Sequence, residues 1–322
     1  MKKVRRVLGI MMCIVLAFGC LTGCGGKKSD EEILTGAVTK INEAKSTDIN
    51  MKMSGKMTMD MGELGGTQDI DMSTELTGTQ FSDPVKMKAT TNVTSAGTST
   101  TVECYMQEVD GDFVVYTKAD DEWMKTTLTD YKAAMQSAGI SMVDNFSSDI
   151  GKYTKKEDKT EGDKTYLVYD YTISGEEIKD LMGGVTSSMD SLLGSAESEE
   201  DKAEMEEMLN NMINSIGSIT LTLWIDKEEE TIYRIDYPMT DLMNNMMNSL
   251  MDTLKNQAAG DDAADAADLA EVFSQIKITV SDMNAIITYS NVNAAADFEI
   301  PKEALEADEM SNAADLDTDE EE

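Results

Sequence analysis

The stretch "INMKMSGKMTMDM", Ile49–Met61, decides how the rest of the chain is read. Its odd positions carry Ile49, Met51, Met53, Gly55, Met57, Met59 and Met61; its even positions carry Asn50, Lys52, Ser54, Lys56, Thr58 and Asp60. Side chains alternate across a strand with a period of two, so this pattern describes one long strand with an apolar face and a polar face. Gly55 interrupts the apolar row, where a missing side chain permits a bulge or a bend. Methionine is unbranched and adaptable, so a face built from it specifies shape loosely.

The alternation recurs downstream. After a turn at "ELGGT", Ile70, Met72, Thr74 and Leu76 share a face. Beyond Pro84, Val85, Met87, Ala89, Thr91 and Val93 do the same, and after "SAG" so do Val102, Cys104 and Met106. "DGD", Asp110 to Asp112, is a hairpin signal leading into "FVVYTK" and, past "ADD", into "EWMKT". Short turns between such strands predict an antiparallel meander with one apolar face. "TYLVYDYTI" predicts a further strand. "ITLTLWIDKEEETIYRIDYPM" predicts a hairpin with Ile219, Leu221, Leu223 and Ile225 on one face, and "IKITVSDMNAIITYSNV" a last hairpin turning at Ser281–Asn284. The expected total is about eleven strands.

Helical signals frame and interrupt these strands. Ser29 and Glu32 fit a capping box ahead of "ILTGAVTKINEAK", whose Ile33, Leu34, Ala37, Val38 and Ile41 make one stripe. "LTDYKAAMQSAG", "GEEIKDLMGGVTSSMDSLLG", "EEDKAEMEEMLNNMINSI" and the Met-rich "MTDLMNNMMNSLMDTLKN" are helix candidates, followed by the acidic low-complexity segment "AAGDDAADAADLAEVF". We expect residues 30–306 to form one domain rather than two divided near Ser147, because later hairpins can extend the sheet and the middle helices can cover its apolar face. Residues 307–322 are expected to be a disordered acidic tail.

The N-terminus predicts a location. Lys2, Lys3, Arg5 and Arg6 precede an apolar run from Val7 to Leu21 that is short for a membrane span, and "LTGC" follows. That order resembles the signal and lipobox of bacterial lipoproteins. The resemblance implies cleavage of residues 1–23 and a diacylglyceryl group on Cys24, with residues 24–29 as a tether. Two acyl chains anchor stably where one is marginal. Loss of the leader moves the formal charge from −35 to −39. Of the four cysteines, Cys13 and Cys20 leave with it, and Cys104 remains as an expected buried thiol.

The 322 residues contain 62 Asp and Glu against 27 Lys and Arg, and no histidine. The charge argues against nucleic acid as a partner. The lack of histidine removes Ser-His-Asp and Cys-His nucleophile activation and His-ligated zinc. No phosphate-binding glycine loop, dinucleotide fingerprint or EF-hand loop is present. Neither a cofactor nor a resident metal is expected. Thioethers at M-x-M spacing suit Cu(I), but a copper carrier normally adds His or an exposed Cys. The pairs Trp123/Tyr131 and Trp224/Tyr233 read as packing, with carbohydrate binding held as an alternative.

The order of lipobox, tether, "EEILTGAVTKINEAKS", long alternating strands and the ending "TYSNVNAAADFEIPKEAL" resembles the uncharacterised lipoproteins of clostridia and their relatives in the LolA/LolB/LppX superfamily. The resemblance covers most of residues 30–306 and is architectural. It implies an α+β fold: a strongly curved antiparallel half-barrel whose concave side is plugged by an N-terminal helix and inserted helices. It also implies a cavity that takes lipid or lipoprotein acyl chains.

The expected function is therefore a non-enzymatic, membrane-anchored lipoprotein that holds a lipid or other amphiphile, working as a monomer on the outer face of a Gram-positive cytoplasmic membrane. The residues expected to line the cavity are Met51, Met53, Met57, Met59 and Met61 on the first strand. Met72, Met87 and Met106 follow on the next three. Leu221 and Leu223 lie on the later hairpin, and Met243, Met246, Met247 and Leu250 on the Met-rich helix. A surface module with a filled core and no ligand is the alternative.

Overall fold

The computed structural model describes residues 28–62, 65–119, 122–129, 146–175, 177, 217–260 and 275–309. The expected leader, Cys24, most of the expected tether and the acidic segment beyond residue 309 lie outside these. So do the candidate helices "LTDYKAAMQSAG", "GEEIKDLMGGVTSSMDSLLG" and "EEDKAEMEEMLNNMINSI" and the acidic segment after residue 260, apart from their first residues or none.

The described strands form one curved, unclosed sheet. In chain order they are β1 (Ser46–Asp60), β2 (Thr67–Ser82), β3 (Val85–Ser95), β4 (Thr98–Val109), β5 (Asp112–Ala119), β6 (Glu122–Leu128) and β7 (Tyr153–Lys155). Then come β8 (Lys159–Glu161), β9 (Lys164–Ile173), β10 (Ile219–Asp226), β11 (Thr231–Pro238), β12 (Lys277–Ser290) and β13 (Asp308–Glu309). The spatial order is β13-β6-β5-β4-β3-β2-β1-β12-β11-β10-β9-β7, with β8 also on β9. The meander β1–β6 therefore meets β9–β12 at a seam where the first strand pairs with the last long one. The pairs are antiparallel except β13 on β6, which is parallel.

Among the described residues thirteen strands stand against the expected eleven. β7, β8 and β13 have three, three and two residues, too short for alternation to show. In the other direction, the expected last hairpin at Ser281–Asn284 is one continuous strand, β12. The residues on both sides of "SDMN" pair with the same strand, since Ile278 and Val280 face Met59 and Met57 while Ala285 and Ile287 face Met53 and Met51. What looked like a turn is a bulge. Ser54 pairs with Asn284 and Lys56 with Ser281, so Asp282 and Met283 both oppose Gly55. Asp282 has a φ of 53°, a left-handed conformation that Asp tolerates better than most residues.

Gly55 is where the sequence placed a bend, and its role is to make room for that bulge. A Cβ there would sit 2.7 Å from Met283 Sδ and 3.0 Å from Met283 Cα. Met283 is buried, so backbone as well as side chain must move. Overpacking of this kind costs about 1–3 kcal/mol. We expect Gly55→Val to lower the denaturant midpoint accordingly, whereas Gly66→Ala, with open space around its Cβ, loses only the strain of its positive φ.

The N-terminal helix, Asp30–Asn42, has the expected capping box: the Glu32 N–H donates to Ser29 Oγ at 3.2 Å and the Ser29 N–H donates to Glu32 Oε2 at 2.7 Å. It buries Ile33, Leu34, Ala37 and Val38 against β9, β10 and β11 and against Ile49 and Ile287. After β12 the chain crosses the opposite face of the sheet. The Asn293 N–H donates to Ser46 O, Lys86 pairs with Asp297, and the Phe298 ring lies 5.9 Å from Phe81 and 6.1 Å from Tyr105. It then buries Ala304 and Ala307 and adds Asp308 and Glu309 to the edge of β6, so the start of the expected tail is part of the sheet.

Candidate apolar ligand site

Register carries one apolar face across the sheet. Met51 faces Leu76 on one side and Ile287 on the other. Outward from there, Ile287 faces Ile235, Ile235 faces Leu223, and Leu223 faces Tyr169. In the other direction Ala89 faces Cys104, and Met87 faces Met106, which faces Val115. Two cores form on this face, one rich in β-branched and aromatic residues and the other in small residues and methionine.

The first core, beneath the N-terminal helix, contains Leu34, Leu221, Leu223, Ile225, Ile232 and Ile235. The second contains Leu76, Met87, Ala89, Cys104, Met106 and Val115. Met51 packs against both. Burial pushes the Cys104 thiol up to about 11, so it stays protonated and behaves as a small apolar residue.

The far half of β1 is different. Met53, Met57, Met59 and Met61 keep the apolar alternation but are only half-buried, as are Ile70 and Met72 of β2 and Ile278 of β12. Val93 of β3, which pairs with Thr74 beside Met53, is 40% exposed. These residues form a continuous stripe that the described residues do not cover.

The Met-rich helix, Thr240–Gly260, borders this stripe. β11 pairs with β12 only from Asn284 to Thr288, which leaves the backbone of β12 below Met283 without a strand neighbour on that side. The helix supplies one. The Val280 N–H donates to Asn244 Oδ1 and Asn244 Nδ2 donates to Val280 O, both at 2.8 Å, so one amide side chain imitates a ladder partner. One turn earlier the Met283 N–H donates to Thr240 Oγ1 at 2.9 Å. Thr240 and Asn244 stand four residues apart, so both reach β12 from one side of the helix. Leu242 and Met246 pack on the first core, while Met243, Met247 and Leu250 are half-buried.

The expected lining residues thus separate. Met87, Met106, Leu221 and Leu223 are 0–1% exposed and belong to the cores. Met51 joins the cores; Met53, Met57, Met59, Met61 and Met72 form the stripe, and Met243, Met246, Met247 and Leu250 lie half-buried on the neighbouring helix. The two tryptophans lie on the opposite face. Trp123 packs with Tyr105, and Tyr131 lies outside the described residues. Trp224 is met edge-on by Tyr166, covered by Arg234 at 4.8 Å and donates its indole N–H to Asp236, while Tyr166 stacks on Tyr233. Its ring is occupied by the protein's own groups.

At the end of the sheet where β1 begins, the β10–β11 turn is ordered by Asp226. Burial opposes ionisation of this carboxyl, but Lys164 Nζ at 2.8 Å and the N–H groups of Glu229 and Glu228 hold it below the usual carboxylate range. Among the described residues, no group of three or more His, Cys, Asp or Glu is placed to hold a metal ion, and no helix is long and apolar enough to cross a membrane.

A family model described as a family of unknown function (DUF6612) matches residues 29–309, nearly the whole of the chain beyond Cys24. The chain belongs to that family. No curated protein matches this DUF6612 chain. Among solved structures it is similar to the Mycobacterium tuberculosis lipoprotein LppX, at 10% identity and a TM-score of 0.38, over 84% of this chain and 100% of LppX. It is also similar to LprF from Mycobacterium bovis, at 12% identity and a TM-score of 0.38, over 87% of this chain and 100% of LprF. Superposition at that level carries no argument about ligand or mechanism, which must come from the geometry above.

Proposed function

We propose that this DUF6612 chain is a non-enzymatic lipoprotein, anchored through diacylglyceryl-Cys24 to the outer face of a Gram-positive cytoplasmic membrane. It holds the acyl part of a lipid or another amphiphile against the stripe of Met53, Met57, Met59, Met61 and Met72. The observation that carries this reading is that the apolar alternation of β1 resumes beyond Gly55 and runs from the cores into a region the described residues leave half-buried. Soluble proteins keep such surface only where it meets something. Thioether side chains suit a guest of variable shape, and burial of an acyl chain contributes about 0.8 kcal/mol per CH₂.

The test is native mass spectrometry of the protein purified from its own membranes, with organic extraction of the same sample. The expected result is a bound amphiphile whose acyl chain appears in the extract. A protein without adduct that also fails to take up a fluorescent palmitate-length fatty acid would favour the filled-core module, a reading supported by the full burial of Met87 and Met106.

A further inference from the structure

We infer that the chain stands end-on at the membrane, with the methionine stripe at the end of the sheet remote from the bilayer, so that its guest is exchanged with the aqueous side. This rests on the proposed anchor at Cys24 and on three observations.

The first is reach. Lys28 forms an ion pair with Glu230 in the β10–β11 turn. Four residues of chain span at most about 14 Å, so an acylated Cys24 holds Lys28 within that distance of the headgroups, and the turn lies one Lys–Glu ion pair beyond. The second is register. Arg234 pairs with Thr288 and Asp48 with Ser290, which places Glu230 and the β10–β11 turn at the level where β1 begins. A strand rises about 3.3 Å per residue, so from Ser46 the stripe starts at Met53, about 23 Å away, and ends at Met61, about 50 Å away. The third is charge. With a formal charge of −35 before the leader is lost, the domain is repelled by anionic lipid and gains nothing electrostatically by lying along the surface.

The proposal can be read with two variants of the full acylated chain, each carrying one introduced cysteine, Glu229→Cys at the anchored end and Thr67→Cys beside Asp60 at the other. Both positions are exposed, and Cys104, buried at 5% exposure, is not labelled. Each variant carries a fluorophore and is reconstituted in phosphatidylcholine–phosphatidylglycerol vesicles containing a headgroup-linked quencher. Quenching several-fold stronger at position 229 than at 67 is the expected result. Equal quenching means that the domain lies flat, stronger quenching at 67 means that it is inverted, and either overturns the orientation. Flotation of the vesicles is scored in parallel. A chain that does not float has no anchor, and the orientation falls with it. Fatty-acid uptake in solution needs no vesicle and is unaffected by that failure.

Discussion

Replacing Met57 and Met59 together with serine should weaken binding of a fluorescent palmitate-length fatty acid by roughly 100-fold, with the domain still folded. Both side chains belong to the half-buried stripe, pairing with Ile70 and Gln68 on β2 and with Val280 and Ile278 on β12. The change removes apolar contact equivalent to about four methylenes, or about 3 kcal/mol at ~0.8 kcal/mol per CH₂. A loss of that size is about two decades in the dissociation constant. Because neither residue is in a core, the circular dichroism spectrum and the unfolding midpoint should change little. Unaltered affinity in the double variant would show that the guest sits elsewhere, or that these methionines serve only the protein's own packing.

The second large effect concerns stability. Leu223→Ala should cost about 2–5 kcal/mol, measured by chemical denaturation, because it opens a cavity in a close-packed site. Leu223 is 0% exposed, stands between Tyr169 and Ile235 in the sheet and belongs to the core beneath the N-terminal helix. Leu305→Ala provides the contrast: this leucine is 46% exposed, and its loss should stay within about 0.5 kcal/mol. A small effect at Leu223 would mean that the N-terminal helix does not close the sheet as tightly as the structure shows.

The architecture was legible because it rests on local patterns. The alternation in β1 to β4 assigned each side chain to a face, and the capping box of Ser29 and Glu32 fixed the start of the helix that fills the first core. "SDMN" misled because Asp and Asn signal turns and bulges alike. Only the partner strand shows which is made, and that partner lies far away in sequence. The candidate site was legible in type but not in extent. Met57 and Met87 look alike in sequence, yet one is half-buried and the other fully buried, because burial depends on neighbours brought in from other strands. Asn244 and Thr240 gave no signal of their own, since their partners are backbone groups freed by the early end of β11.

The central seam has a consequence for how the protein comes to exist. β1 is among the first segments to be synthesised, yet one of its two neighbours is β12, near the end of the chain. Asn291 Nδ2 donates to Asp48 Oδ2 across 243 positions of sequence. Contacts of such separation form late, because the entropy of closing the loop is lost before the pairing returns anything. Until β12 is made, then, "INMKMSGKMTMDM" waits with one edge and its apolar face unmatched, in the state most open to wrong pairing. The lysines of its polar face, Lys52 and Lys56, are charges of the kind that discourage a second copy from adding to that edge. The stretch that decides the fold is also the one that must be kept from completing it too soon.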